Sequence, residues 1–156
     1  MIISNYNTRP FFGKCGLFAL FPVGVISLWN EAFPDDPAWN EPALIIERKM
    51  KVQPELFIVA VDTDSISGDV VAGTVIAGFD GFRGWLHHIS VAKLYQSQGI
   101  ARSMIEKALE ELSGLGCPKV NLQVRADNHA VAGFYEQLGF TREERASFGI
   151  NLTNRH

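Results

Sequence analysis

The stretch Val91-Ala-Lys-Leu-Tyr-Gln-Ser-Gln-Gly-Ile-Ala-Arg-Ser-Met-Ile-Glu-Lys-Ala-Leu-Glu-Glu-Leu112 decides the reading of this chain. It opens as the end of a strand, turns through a polar loop containing Gly99, and runs into a helix. Ile100, Met104, Ile105, Ala108, Leu109 and Leu112 recur at the spacing of one helical face. Gly114 and Gly116 stop the pattern, so the helix is expected over Gln98–Leu115. The loop Gln96-Ser97-Gln98-Gly99-Ile100-Ala101 has the form Q/R-x-x-G-x-G/A. Such a loop turns several backbone N–H groups into one space, and the helix behind it adds the positive end of its macrodipole. Gly99 lets the backbone approach a ligand, Ala101 keeps the helix start uncrowded, and Arg102 adds charge. The pattern fits a phosphate-binding loop. It also fits an ordinary strand-to-helix loop with a polar tip, so it needs company.

Working outward from this stretch, Trp85–Val91 reads as the strand that feeds it. Val70–Phe79 is the strand before, and Leu56–Val61 the one before that. Asp62–Asp69 and Asp80–Gly84 are rich in Asp, Ser and Gly and form the turns between them. Further upstream, Val25, Leu28, Trp29 and Ala32 give a helix over Val23–Phe33, ended by Pro34. Glu41–Met50 is a second helix, with Pro42 in the first turn where its missing N–H does no harm. Met1–Tyr6 is a short first strand. Downstream, Val120, Leu122 and Val124 alternate with polar neighbours in a strand over Pro118–Arg125. Asn128–Leu138 is a helix stopped by Gly139, and Phe140–Leu152 offers one or two closing strands. This order predicts an α/β, or α+β, mixed sheet with helices on both faces. The strand–helix–strand step from Trp85 to Arg125 is a right-handed crossover giving a parallel pair, splaying after Val91 and Arg125 to open a slot.

The bulk numbers narrow the function. A chain of 156 residues suits a single domain over 1–156. With 47% hydrophobic and 20% charged residues it is expected to be globular and soluble. A net charge of -3 and a pI near 5.8 offer no basic field for nucleic acid. Cys15 and Cys117 stand apart, without a CxxC or His pattern, so neither a zinc site nor a disulfide framework is expected. Unpaired thiols suit a cytoplasmic location. Phe11–Ile26 is apolar, but Gly13, Lys14, Gly16, Pro22 and Gly24 interrupt it. It reads as a lead-in rather than a signal or membrane anchor.

A second constellation follows the last interior strand: Asn128-His-Ala-Val-Ala-Gly-Phe134-Tyr135-Glu136-Gln137-Leu138-Gly139-Phe140. Asn128 caps a helix and keeps side-chain atoms for a ligand. Tyr135 lies two helical turns on. By themselves, a cap and a core tyrosine would explain both. Together with the Gln96–Ala101 loop, in this order, the run resembles the GNAT superfamily of acetyl-CoA-dependent N-acetyltransferases, over about Leu28–Leu152. Ile46–Met50, Gly78–Gly84 and Gly116–Lys119 are similar to its bacterial YpeA-type branch.

The resemblance implies roles residue by residue. The backbone of Ile89, Ser90 and Val91 would pair with the pantetheine arm of acetyl-CoA. Gln96, Ser97, Gln98, Gly99, Ile100, Ala101, Arg102 and Ser103 form the loop and helix start that would hold its pyrophosphate. Asn128 would bond the pantetheine or the region near the thioester, and Tyr135 would protonate the departing thiolate, for which a phenol neutral at pH 7 is suited. A substrate amine would attack the acetyl carbonyl directly, with a backbone N–H near Val91 polarising that carbonyl. Many relatives carry a glutamate on the strand before the loop. This one reads Trp85-Leu86-His87-His88-Ile89-Ser90-Val91, so His87, His88 or a water is left as the base, with His88 the nominated residue. Simple alternation places the two histidines on opposite faces. Glu31, Asp35, Asp36 and Glu41 fall where acceptor-binding loops would lie, and read first as a solvated loop. Asn7–Pro22 matches nothing expected of the family. The implied partner is a small-molecule or peptide amine, with no metal, nucleic acid or membrane, and homodimer formation is compatible. The competing expectation is a non-catalytic acyl-CoA-binding regulatory module on the same fold, kept open by the missing strand carboxylate.

Overall fold

Phe57, Ile58, Val59, Ala60 and Val61 are completely buried. A run of five apolar residues without alternation belongs to a strand covered on both faces. It is the heart of β2 (Phe57–Asp62). The computed structural model describes residues 1–6, 20–66 and 68–153. Around β2 the elements run β1 (Ile2–Asn5), α1 (Leu20–Ala32), α2 (Pro42–Lys51), β2, β3 (Val70–Phe79), β4 (Gly84–Val91), α3 (Ile100–Gly114), β5 (Val120–Leu122) and α4 (His129–Gln137). The sheet order is β1-β2-β3-β4-β5. The first four strands are antiparallel neighbours, and β5 joins β4 in parallel.

Residues Met1–Leu122 form one compact unit, which holds the sheet, and a second begins at Gln123. In the first unit, Phe57, Val59 and Val61 of β2 and Ile76 of β3 pack with Val25, Leu28 and Trp29 of α1 and Ile46 of α2. The alternate face meets α3, whose buried stripe is Ile100, Met104, Ile105, Ala108 and Leu112. Gly73 is required there: a β-carbon on it would lie 2.7 Å from the Met104 Cε and 2.9 Å from the Ser90 carbonyl oxygen. The start of α2 is fixed by Glu41, whose carboxylate accepts from the N–H groups of Ala43 (3.2 Å) and Leu44 (3.0 Å).

Three expectations are corrected. The β5 strand is three residues long, and its pairing with β4 ends at Leu86–Leu122 rather than running to Val91 and Arg125. The parallel pair therefore opens five residues of β4 earlier than the hydrophobic pattern suggests. No closing strand forms over the described part of Phe140–Leu152. Phe148, Ile150 and Leu152 alternate as a strand would, but they are exposed, and alternation without a ladder partner makes no sheet. Finally, β4 does not alternate throughout. Thr74 of β3 stands opposite Ser90 and Ile76 opposite His87, so His88 and Ile89 together face Val75 alone. This is a two-against-one bulge, and His88 sits in it with φ +48°.

The described residues of the second unit include α4 and no fully buried side chain. The atypical segment Asn7–Pro22 lies outside the described residues up to Ala19, and α1 begins at Leu20, three residues ahead of the expected start. Among the described residues, no helix is long and apolar enough to cross a membrane.

Candidate active site

The bulge reorganises the histidines. His87 stands opposite Ile76, so its side chain shares the α1/α2 face with Ile76. Without the extra residue His88 would point away from that face. With it, the His88 ring lies 4.9 Å from the Trp29 ring and 4.9 Å from the Phe33 ring, both contributed from the α1 side. Histidine is one of the few side-chain types that tolerate the left-handed region. The expectation that only one of the two could reach a given face is therefore overturned by the bulge.

His88 also has a carboxylate partner. Its Nε2 lies 3.4 Å from Oδ2 of Asp36, which lies in the turn after α1. The same oxygen accepts from the Asn40 side-chain amide at 3.3 Å. Burial pushes the His88 imidazole below its ordinary value of 6.5, while the charge and hydrogen bond of Asp36 pull it upward. His87 is pushed below 6.5 by burial first, then by the positive charges of His88 and Lys49. It stacks on Trp85 at 6.2 Å. Burial favours the neutral form of both imidazoles, and His88 is the one held by a carboxylate. Sequence reading misses this partnership. Asp36 looks like one of several loop acids, and no spacing rule links it to a residue 52 positions away.

Beyond the last β5 partner, β4 continues to Val91 and then enters the polar loop. The Ala92 N–H donates to the Ala72 carbonyl at 2.9 Å, continuing the β3 contact. A short 3-10 turn, Lys93–Tyr95, follows. The Tyr95 hydroxyl donates to Asp62 at 2.8 Å, which holds that carboxyl below the ordinary carboxylate range. Lys93 lies 3.1 Å from Glu31 of α1. The loop is thus tied both to the end of β2 and to α1.

Ser97 (φ +60°) and Gly99 (φ +77°) both adopt the left-handed conformation, and α3 begins at Ile100 with no side chain capping it. Gln96 and Gln98 fold back, donating from their Nε2 atoms to the carbonyls of Val91 (3.1 Å) and Leu94 (3.0 Å). The N–H groups of Ile100, Ala101 and Arg102 have no intrahelical acceptor, and the dipole of a 15-residue helix stands behind them. Arg102 lies 3.8 Å from Glu106 along the helix surface. An uncapped helix start with backbone donors suits a phosphate better than it suits empty solvent. His88, Ile89, Ser90, Val91 and Gln96–Ser103 all belong to this continuous strand–loop–helix passage of the first unit.

Asn128 and Tyr135 belong to the second unit. Asn128 caps α4, accepting at Oδ1 from the Val131 N–H at 3.3 Å, which leaves its Nδ2 hydrogens outside the cap. Tyr135 is half-buried between Phe134 and Phe140, with ring separations of 5.2 and 5.9 Å. Burial pushes its hydroxyl up to about 12, so it stays protonated throughout the neutral range. The Phe140 N–H donates to the Tyr135 carbonyl at 3.1 Å, fastening the end of α4.

Residues 23–140 match the acetyltransferase (GNAT) family. An acetyltransferase of Yersinia pestis is 39% identical over 128 residues, covering 82% of this chain and 86% of that protein. An acetyltransferase of Sodalis glossinidius is 40% identical over 120 residues, covering 77% of this chain and 80% of the relative. Among solved structures, the NatC complex bound to Gag peptide and CoA is similar with TM-score 0.70 and 22% identity, over 80% of this chain and 79% of that one. The aminoglycoside acetyltransferase AAC(6')-Iy, solved with a bisubstrate analogue of CoA, gives TM-score 0.67 and 17% identity, over 85% and 92%. The last two speak to the fold and the first three to descent: this chain belongs to the acetyltransferase (GNAT) family and is an N-acetyltransferase.

Proposed function

We propose that the enzyme takes its acetyl group from acetyl-CoA and passes it to a primary amine by direct attack, with His88 as the general base. The observation that carries this reading is the His88–Asp36 pair at 3.4 Å on the bulged end of β4. It supplies a neutral imidazole, oriented by a carboxylate, on the strand where other family members place a glutamate.

Bound acetyl-CoA supplies an activated carbonyl and a thiol leaving group. The N–H groups at the start of α3, with Gln96–Ser103, hold the pyrophosphate. Past Leu86 the β4 edge is no longer paired with β5, and the backbone of Ile89–Val91 receives the pantetheine arm there as an added strand. For Asn128 the family resemblance supports the role of an amide donor to the pantetheine or the region near the thioester. A backbone N–H of the Ile89–Val91 stretch polarises the acetyl carbonyl. His88 accepts the proton that the amine nitrogen loses as the N–C bond forms. Tyr135 donates its hydroxyl hydrogen to the sulfur as the C–S bond breaks. With its hydroxyl near 12, Tyr135 is always in the donor form at neutral pH. The acceptor class is a small-molecule or peptide amine. Solved structures of the same fold hold a Gag peptide in one case and a CoA–acetylneamine analogue in another.

The test is thiol release from acetyl-CoA against a panel of amines and peptides. Amine-dependent release is expected, with Tyr135→Phe slowing turnover by roughly 10²-fold while coenzyme binding is kept. Binding of acetyl-CoA without release for any amine would instead favour a non-catalytic acyl-CoA-binding module.

A further inference from the structure

Thr74 is completely buried in the middle of β3, yet its side chain is polar. Three groups converge on its hydroxyl. The Trp29 Nε1 lies 2.7 Å away, the His88 carbonyl oxygen 3.1 Å, and the Ser90 hydroxyl 2.9 Å. A threonine hydroxyl has one hydrogen to give and two lone pairs to receive with. An indole N–H can only donate, and a carbonyl can only accept. The assignment is therefore forced: Thr74 accepts from Trp29 and from Ser90, and gives its own hydrogen to His88. Every capacity of the hydroxyl is used, and two of its three bonds end on the bulge residue His88 and on Ser90 beside it.

The bond to His88 fixes more than an oxygen. The chain has no cis peptide bond among the described residues, so the His88–Ile89 peptide is planar and trans. In such a unit the carbonyl and the following N–H point in opposite directions. Anchoring the His88 carbonyl on the Thr74 hydroxyl therefore aims the Ile89 N–H the other way. It also holds the left-handed φ of His88, from which the ring reaches Asp36. A bulge has lost one regular ladder pair and is the softest place in a strand, so this bond replaces a constraint that the ladder no longer supplies.

We propose that Thr74 is a positioning residue for acyl transfer. Its hydroxyl, oriented by Trp29, locks the His88–Ile89 peptide plane and thereby sets the His88 ring and the Ile89 N–H against the substrate. This inference rests on the reading of His88 and the β4 backbone given above.

The experiment compares Thr74→Val, Thr74→Ser and Ile46→Val in the full chain. Thr74→Val keeps the shape and removes the hydroxyl. It is expected to lower kcat by roughly ten- to a hundredfold, with KM for acetyl-CoA within about twofold of the parent. Thr74→Ser keeps the hydroxyl and is expected to retain turnover. Ile46→Val loosens the same core away from the bulge and separates general destabilisation from positioning. Hydrogen exchange is read on the same proteins, with faster exchange expected in Thr74→Val over Gly84–Val91 and not over α3. Unchanged kcat in folded Thr74→Val, an equal loss in Thr74→Ser, or an equal loss in Ile46→Val overturns the proposal. If Thr74→Val does not fold, Trp29→Phe decides: a several-fold fall in kcat at constant KM supports the role, and no fall overturns it. If the parent protein turns over no amine, the acetyl-transfer reading has failed. The exchange measurement then judges the peptide-plane lock by itself, and unaltered exchange over Gly84–Val91 overturns it.

Discussion

The two halves of β4 differ in every respect that separates scaffold from site. Gly84, Trp85 and Leu86 are paired on both edges, to β3 and to β5, in regular register. Among the described residues His87–Val91 has β3 alone as its strand partner, and it is broken by a bulge with a left-handed histidine. The first half is held by ladder hydrogen bonds and apolar packing. The second is held by side chains: Thr74 on its backbone, and Trp29, Phe33 and Asp36 on the His88 ring. A strand whose backbone must serve a ligand cannot spend that backbone on a neighbour, so the constraint has to come from side chains instead. In the proposed reading, that substitution leaves the β4 backbone available to the coenzyme and still well positioned.

The contrast predicts opposite phenotypes along one strand. In the bulged half, His88→Asn tolerates the left-handed backbone and removes the proposed base. Its kcat/KM for the amine is expected to fall by about 10²-fold or more, with little change in melting temperature. In the regular half, Leu86 is 2% exposed. Leu86→Ala is expected to cost about 2–5 kcal/mol of stability by denaturant titration, while kcat measured well below the melting transition stays close to the parent. If Leu86→Ala instead abolishes turnover in a folded protein, the division between the halves is wrong.

Much of the fold is legible in the order of residues alone. The continuous apolar run of β2, the stripe on α3, Pro42 in the first turn of α2 and Asn128 as a cap all follow from local rules, and local rules are what a sequence displays. The residues proposed to hold the phosphate, Gln96–Ser103, can be named for the same reason, because they are contiguous. What escapes is non-local. The bulge depends on the register of β4 against β3, which no periodicity within Trp85–Val91 reveals, and it reverses the placement of His88. Asp36 and Thr74 become partners of His88 only through that register. The expected closing strands fail for a related reason: Phe148, Ile150 and Leu152 carry a strand pattern, but pairing is a property of two segments.

In the proposed mechanism the bulged half of β4 presents a carboxylate-held imidazole as the base. The pH dependence of kcat/KM for the amine, measured in the parent and in Asp36→Asn, tests it most directly. Burial places His88 below 6.5, so the parent's acid limb should fall below that value. Asp36 is the influence that raises the His88 value. Removing its charge should make His88 harder to protonate and move the acid limb to still lower pH, with a lower plateau as the ring loses its orienting partner. An acid limb that stays in place, or moves upward, would contradict the assignment of His88 as the base.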